Sequence, residues 1–257
     1  MRVEPIKTAV YDLLPVAVYE NSEAMGLAAA LNARGIIQKA IADKGEANII
    51  LATGNSQLCF LSALCDMEGI DWPKINVFHM DEYVGIDPHH TASFPLFLRQ
   101  HIIDTVQPGA FYPVPGQAED LEKACQDYET LLREHPADLV ALGFGENGHL
   151  AFNDPPYARF HDSAWVKVVE LAEASRNQQV GEGHFCSLEE VPTHAITLTI
   201  PALLAARAIL CIVPEARKAE AVRACLMDPI SADRPGSVLR RVRHACLYLD
   251  QDSASKL

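Results

Sequence analysis

The sequence predicts one α/β domain, spanning 1–257, whose doubly wound and mostly parallel sheet carries helices on both faces. Three observations carry that expectation. Short, compact and largely apolar runs, such as 48–52, 138–142 and 208–213, have the look of strands buried on both faces. Segments of helical length and spacing separate them, as strand–helix–strand units require. No internal repeat, low-complexity tract or Gly/Ser linker marks a boundary along the 257 residues, so the length reads as one domain.

The elements follow in order. Residues 15–19 read as a strand, and Asn21 or Ser22 caps an Ala-rich helix reaching about residue 42. The strand at 48–52 ends in Thr53-Gly54-Asn55-Ser56 and feeds a helix over 57–67. A strand at 75–80 precedes helical patterns over 94–106 and 118–134, and 138–142 forms the next strand. After an irregular stretch, 166–171, 195–199, 208–213 and 246–249 read as strands, with a helix over 215–226. In such a sheet, ligands bind beyond the carboxyl ends of the strands, where the strand order reverses. The loops that leave strands are therefore the places to look for chemistry.

Composition narrows the classes. The chain holds 34 acidic and 21 basic residues, a formal charge of −13, which disfavours a nucleic-acid partner but leaves a small anionic metabolite open. Seven cysteines without a C-x-x-C pair read as free, mostly buried thiols rather than a disulfide framework or a zinc site. The first residues lack the pattern of a secretory leader, and the longest apolar stretch, 200–213, contains Pro201 and Arg207 and is too short to span a bilayer. A cytoplasmic protein without membrane association is the expectation.

Three strand-end loops carry candidate chemistry. In the first, Thr53, Gly54, Asn55 and Ser56 open a helix, where free backbone N–H groups, hydroxyls and the helix dipole favour an anion; an ordinary capped turn is the alternative. The loop lacks the G-x-x-x-x-G-K-[ST] pattern of a nucleoside-triphosphate site. In the second, Asp81 and Glu82 end an apolar strand, so that one carboxylate turns inward and can serve as a base in a dry pocket; a turn cap or salt bridge is the alternative. His79, His89 and His90 lie near Asp81 and Asp87, but their spacing fits no metal motif, and no metal is assigned.

The third loop runs Gly143-Phe144-Gly145-Glu146-Asn147-Gly148-His149-Leu150-Ala151-Phe152-Asn153-Asp154-Pro155-Pro156. Its G-x-G-x-x-G, with Glu170 near the ribose-binding offset, invites the dinucleotide reading of a Rossmann-like sheet. The proline pair, however, denies the final glycine its helix, and that reading falls away. What remains is a tight loop presenting His149, with Asp154 five residues on, a pairing suited to proton transfer at neutral pH. A structural hydrogen-bonding histidine is the alternative. Lys218, at the start of a helix after a strand, opposes the helix dipole and thereby points to an anion.

Met80-Asp81-Glu82-Tyr83-Val84-Gly85 and Gly148-His149-Leu150-Ala151-Phe152-Asn153, together with the 53–56 loop and Lys218, resemble the glucosamine-6-phosphate isomerase/deaminase family. Its wider superfamily includes the 6-phosphogluconolactonases. The resemblance runs from the strand at 47 to the last strand, and the asparagine, acid and proline after the histidine look like the deaminase branch. It implies conversion of glucosamine 6-phosphate, or a related hexosamine 6-phosphate, and water to a ketose phosphate and ammonia, without a cofactor. Asp81 matches the base that shuttles a proton between C2 and C1, and His149 the acid/base that opens the sugar ring. Asp154 stands where the family has a glutamate that orients the histidine. The 53–56 loop, Glu82 beside the base, and Lys218 match substrate- and phosphate-binding elements.

Three departures qualify the match. Asn147 stands where the deaminases usually carry aspartate, and Glu146 or Asp154 is expected to compensate. Ser56-Gln57 replace a Thr-Pro pair. An arginine that grips phosphate in the family falls near Gly183-His184-Phe185, where this chain has none. A lactonase of the same superfamily and a sugar-phosphate sensor without turnover are the alternative readings. The sensor ranks last, since no segment or basic surface for a DNA-binding module is evident. Family members range from monomers to hexamers, which leaves a homo-oligomer open.

Overall fold

The computed structural model describes residues 3–155 and 157–257; Met1, Arg2 and Pro156, the second of the proline pair, lie outside the described residues. Eight strands form a central sheet in the order β1-β2-β11-β10-β7-β3-β4-β6. These are β1 (Lys7–Tyr11), β2 (Leu14–Tyr19), β3 (Ala47–Leu51), β4 (Ile75–His79), β6 (Ala110–Tyr112), β7 (Leu139–Leu142), β10 (Ile209–Val213) and β11 (Ala245–Asp250). Every pairing is parallel except that of β1 with β2. The chain winds outward from β3 through β4 to β6 on one side. On the other side it adds β7, β10 and β11 in turn.

The apolar runs predicted as strands are the central ones, because a parallel strand covered on both faces has no polar alternation to show. Ile49, Leu51, Leu139, Ala141, Leu210 and Ile212 face one side. They pack there against α1 (Ser22–Lys44) and α2 (Leu58–Cys65). Ile50, Val140, Leu142, Cys211 and Val213 face the other, against α5 (Leu121–Glu134), α7 (Ile200–Leu204) and α8 (Ala219–Met227). Asn21 is the cap of α1, its side chain accepting the Ala24 N–H at 2.8 Å, and Gly45 closes the helix in the left-handed region. The predicted helix over 94–106 is interrupted: α3 (Phe94–Leu98) and α4 (Asp104–Val106) are joined by a π turn at Arg99–Ile103. Among the described residues no helix is long and apolar enough to cross a membrane. All seven cysteines are free thiols, with Cys186 exposed.

The sequence reading needs one correction of substance. The strands predicted at 166–171 and 195–199 do not enter the central sheet. They are β8 (Val166–Glu170) and β9 (His194–Leu198), which form a second, three-stranded antiparallel sheet with β5 (Asp81–Tyr83) in the order β5-β9-β8. The predicted strand at 75–80 thus stops at His79, and the chain changes sheets within three residues. Two further strands escaped notice for local reasons. β1 is a half-exposed edge, where packing leaves little pattern, and β6 is only three residues long.

Helices α1 and α2 approach closely at Gly26, where an added Cβ would stand 2.7 Å from the Cys59 carbonyl carbon. Alanine improves helix propensity by up to about 1 kcal/mol, but here the helices must separate. Gly26→Ala is expected to lower stability by ~1–3 kcal/mol, read as a lower urea midpoint with an unchanged slope.

Candidate active site

A cleft of about 810 Å³, open to solvent, lies beyond the carboxyl ends of β3, β4, β7 and β10. It sits at the reversal of strand order, where an open α/β sheet parts its loops. Thr53, Gly54, Asn55, Ser56, Asp81, His149 and Lys218 all line it. Asn147 and Asp154 stand directly behind His149.

Asp81 is the first residue of β5 and 7 % exposed. Burial, with the neighbouring Glu82 charge adding to it, pushes its carboxyl up to about 8. A group so placed holds a proton tightly and, once ionised, is a stronger base than a solvated carboxylate. Glu82 is also raised, to about 7, chiefly by burial. Its side chain points elsewhere: it accepts hydrogen bonds from Ser93 Oγ at 2.8 Å, the Phe94 N–H at 3.2 Å and its neighbour Tyr83 N–H at 2.8 Å. Glu82 therefore caps the start of α3 and does not line the cleft, which corrects its expected place at the substrate. Alternation along β5 explains the split, since successive side chains leave on opposite faces.

The imidazole of His149 lies flat across Gly145: a Cβ at that glycine would fall 2.0 Å from the His149 ring. Glycine at 145 is thus the condition for the ring's position rather than part of a nucleotide fingerprint. His149 Nδ1 stands 2.8 Å from Asn147 Oδ1 and 3.0 Å from Asp154 Oδ1. Both neighbours accept there, so Nδ1 carries the hydrogen and Nε2 is left as the basic nitrogen. The Asn147 amide donates to Asp154 Oδ1 at 2.6 Å and its oxygen accepts the His149 N–H at 3.0 Å. Burial works against the Asp154 charge, but His149, Asn147 and Ser175 outweigh it and hold the carboxyl below its ordinary value. Of the two acids expected to compensate for Asn147, Asp154 is the one at the ring. Glu146 is not: its carboxylate is turned to Arg217, 3.3 Å away, and does not line the cleft.

The 53–56 loop bends through Gly54 at φ +92° into a short 3₁₀ turn, Asn55–Gln57, that leads into α2. Gln57, in place of the family's proline, is 1 % exposed and donates to Ser56 Oγ at 3.2 Å and to the Ile212 carbonyl at 3.3 Å, tying the loop to β10. Lys218 ends the 3₁₀ turn Ala216–Lys218 ahead of α8. That turn is entered through Glu215 at φ +80°, a conformation rare for a side-chain-bearing residue and held by Asp250, which accepts the Glu215 N–H at 3.1 Å. Lys218 is 2 % exposed, and burial lowers its ammonium from the usual value. Among the described residues its ammonium makes no salt bridge, so its donors face the cleft.

The segment where an arginine was sought presents Glu182 and His184 to the cleft instead. Against its burial, His184, Arg217, Gln178 and Lys218 hold the Glu182 carboxyl down to about 2. Arg217, next to Lys218, is engaged by Glu182 at 2.7 Å, Glu146 and Glu215. Sequence reasoning also missed Thr197 and Ser175. Thr197, wholly buried on β9, pairs with Asp81 and accepts the Phe152 N–H on its hydroxyl at 3.1 Å. Neither stands within a motif, so only the fold could bring them in. No group of three or more His, Cys, Asp or Glu side chains is placed to hold a metal among the described residues.

A family model described as glucosamine-6-phosphate isomerases/6-phosphogluconolactonase matches residues 20–248. The chain belongs to this family. It is 34 % identical over 215 residues to a glucosamine-6-phosphate deaminase of Streptococcus thermophilus, covering 83 % of this chain and 89 % of that one. A glucosamine-6-phosphate deaminase of Bacillus pumilus is 32 % identical over 245 residues, covering 92 % and 97 %. The solved structure of a monomeric glucosamine-6-phosphate deaminase superimposes with a TM-score of 0.85 at 28 % identity, covering 94 % of this chain and 99 % of that one. A 6-phosphogluconolactonase from Shewanella baltica shares the fold, with a TM-score of 0.77 at 18 % identity over 94 % and 99 % of the chains.

Within this family member the buried Asp81 carboxyl has a stability signature. A carboxyl whose folded value lies above its unfolded value binds more protons when folded, so stability falls as pH rises from 3.8 towards about 8. Asp81→Asn removes that contribution. The variant is expected to gain melting temperature over wild type at about pH 8 and little at about pH 4; equal differences at both would contradict the burial of an ionisable Asp81.

Proposed function

We propose that the protein is an amino-sugar-phosphate isomerase/deaminase, converting glucosamine 6-phosphate or a related hexosamine 6-phosphate, with water, to the ketose 6-phosphate and ammonia. The observation that carries the reading is the placement of a raised, buried carboxyl at Asp81 and an Nδ1-protonated His149 on one cleft with Lys218. The relatives at 34 % and 32 % identity support it.

In this reading the phosphate rests on the 53–56 loop and the Lys218 ammonium. Thr53 and Ser56 supply hydroxyls, Gly54 and Asn55 supply backbone N–H groups, and the helix start adds its dipole. His149 Nε2 takes the hydrogen of the C1 hydroxyl and returns it to the ring oxygen, so the C1–O5 bond breaks and an open-chain aldehyde forms. Nδ1–H stays on its acceptors throughout, with Asp154 balancing the imidazolium. Ionised Asp81 removes the proton from C2 while the C1 oxygen takes a proton from the 2-ammonium group, giving a neutral enolamine; Asp81 then returns its proton to C1, giving the 2-iminium and regenerating the carboxylate. Water adds to that iminium and ammonia leaves with the surplus proton as ammonium, so atoms balance with no redox partner or cofactor.

Purified protein incubated with glucosamine 6-phosphate, galactosamine 6-phosphate and 6-phosphogluconolactone separates the readings. Ammonia release from a hexosamine phosphate is expected, with kcat/KM rising as the pH passes through the range from about 7 to about 8 in which the buried carboxyl pair ionises. Acid release from the lactone without ammonia from either amino sugar would overturn it.

A further inference from the structure

Ser175 lies on α6 (Glu173–Gly181), 21 residues from Asp154 in sequence and outside every motif. It is 2 % exposed, and its Oγ donates to Asp154 Oδ1 at 2.7 Å while standing 3.3 Å from His149 Nδ1. Asp154 Oδ1 thus receives Ser175 Oγ, Asn147 Nδ2 and His149 Nδ1, whereas Oδ2 is buried without a partner among the described residues. Three donors converge on one oxygen. Any tilt of the carboxylate that carries an oxygen out of this position leaves the Ser175 and Asn147 donors unpaired in a dry site.

Position 147 takes its logic from the same cluster. A carboxylate there would face Asp154 at 2.6 Å, and two like charges that close cannot both ionise. An amide instead donates to Asp154 with one end and accepts from His149 with the other. With position 147 neutral, Asp154 is the one carboxylate paired with the ring among the described residues, and its orientation depends on its two fixed donors.

We propose that Ser175 is a positioning residue for the ring-opening histidine: its hydroxyl and the Asn147 amide pin Asp154 Oδ1 against Nδ1–H, so that Nε2 faces the cleft unprotonated. The proposal rests on the isomerase/deaminase reading for its kinetic consequence but not for its geometry. Ser175→Ala is expected to lower kcat on the hexosamine phosphate about 10- to 100-fold, the scale of one hydrogen bond to a charged group, with KM changed less than about twofold. Ser175→Thr, which keeps the hydroxyl, restores most of kcat; if alanine unfolds the chain, Ser175→Cys keeps the volume and weakens the donor.

Nitrogen-15 spectra of labelled histidine supply a readout that needs no substrate. Wild type should show His149 protonated at Nδ1, and Ser175→Ala should show a growing share of the Nε2–H form. A wild type that turns over no hexosamine phosphate refutes the proposed activity and leaves this spectrum as the test. An unchanged tautomer in Ser175→Ala, an unchanged kcat, or equal losses in the alanine and threonine variants would overturn the role of Ser175.

Discussion

The candidate site depends on β9. This strand pairs with β5 so that Thr197 lies beside Asp81, and its Leu198 N–H donates to the Met80 carbonyl at 2.8 Å. On its other flank Thr197 Oγ1 accepts the Phe152 N–H, and the Leu198 carbonyl accepts the Asn153 amide at 2.8 Å. One buried strand therefore holds the acid loop after β4 and the histidine loop after β7. Neither loop belongs to a regular element of the central sheet at that point. Their mutual position is set by hydrogen bonds to this one strand, from backbone on the Asp81 side and from the buried Thr197 hydroxyl and Asn153 amide on the His149 side, which is how a site can keep two proton-transfer groups in register.

Burial gives each of the two groups its character by a different route. At Asp81 desolvation dominates, with the Glu82 charge adding to it, and its proton is held. Asp154 is as buried, yet the His149 charge and three donors around one oxygen keep it ionised. Two buried carboxyls in one protein are thus pushed in opposite directions by their immediate neighbours. At the far end of the cleft the same contrast recurs among cations. Arg217 is paired with three carboxylates, while Lys218 beside it forms no salt bridge among the described residues.

Much of this was legible in the sequence, and what was not has identifiable causes. The central parallel strands announce themselves because both faces are apolar, and the loops after β3, β4 and β7 follow from them. The 53–56 loop, Asp81, His149 and Lys218 were read from strand-end position and local chemistry, and all reach one cleft. The second sheet was not legible: β5 has three residues, and its departure from β4 leaves no turn residue at Met80 to mark it. Glu82 and Glu146 misled because adjacent acids look alike in sequence, whereas strand alternation sends one inward and Arg217 draws the other outward. Ser175 could not be found at all, since its importance comes from a contact across 21 residues to Asp154.

If Asp81 carries a proton between adjacent carbons of a sugar opened by His149, glucosamine 6-phosphate deuterated at C2 must yield ketose 6-phosphate whose C2 label has been removed, appearing at C1 or in water. An Asp81→Asn variant must then form no such product while still binding the sugar. Ketose formed at an undiminished rate by Asp81→Asn, or ammonia released with the deuterium still in place at C2, would show that the proton moves by another route.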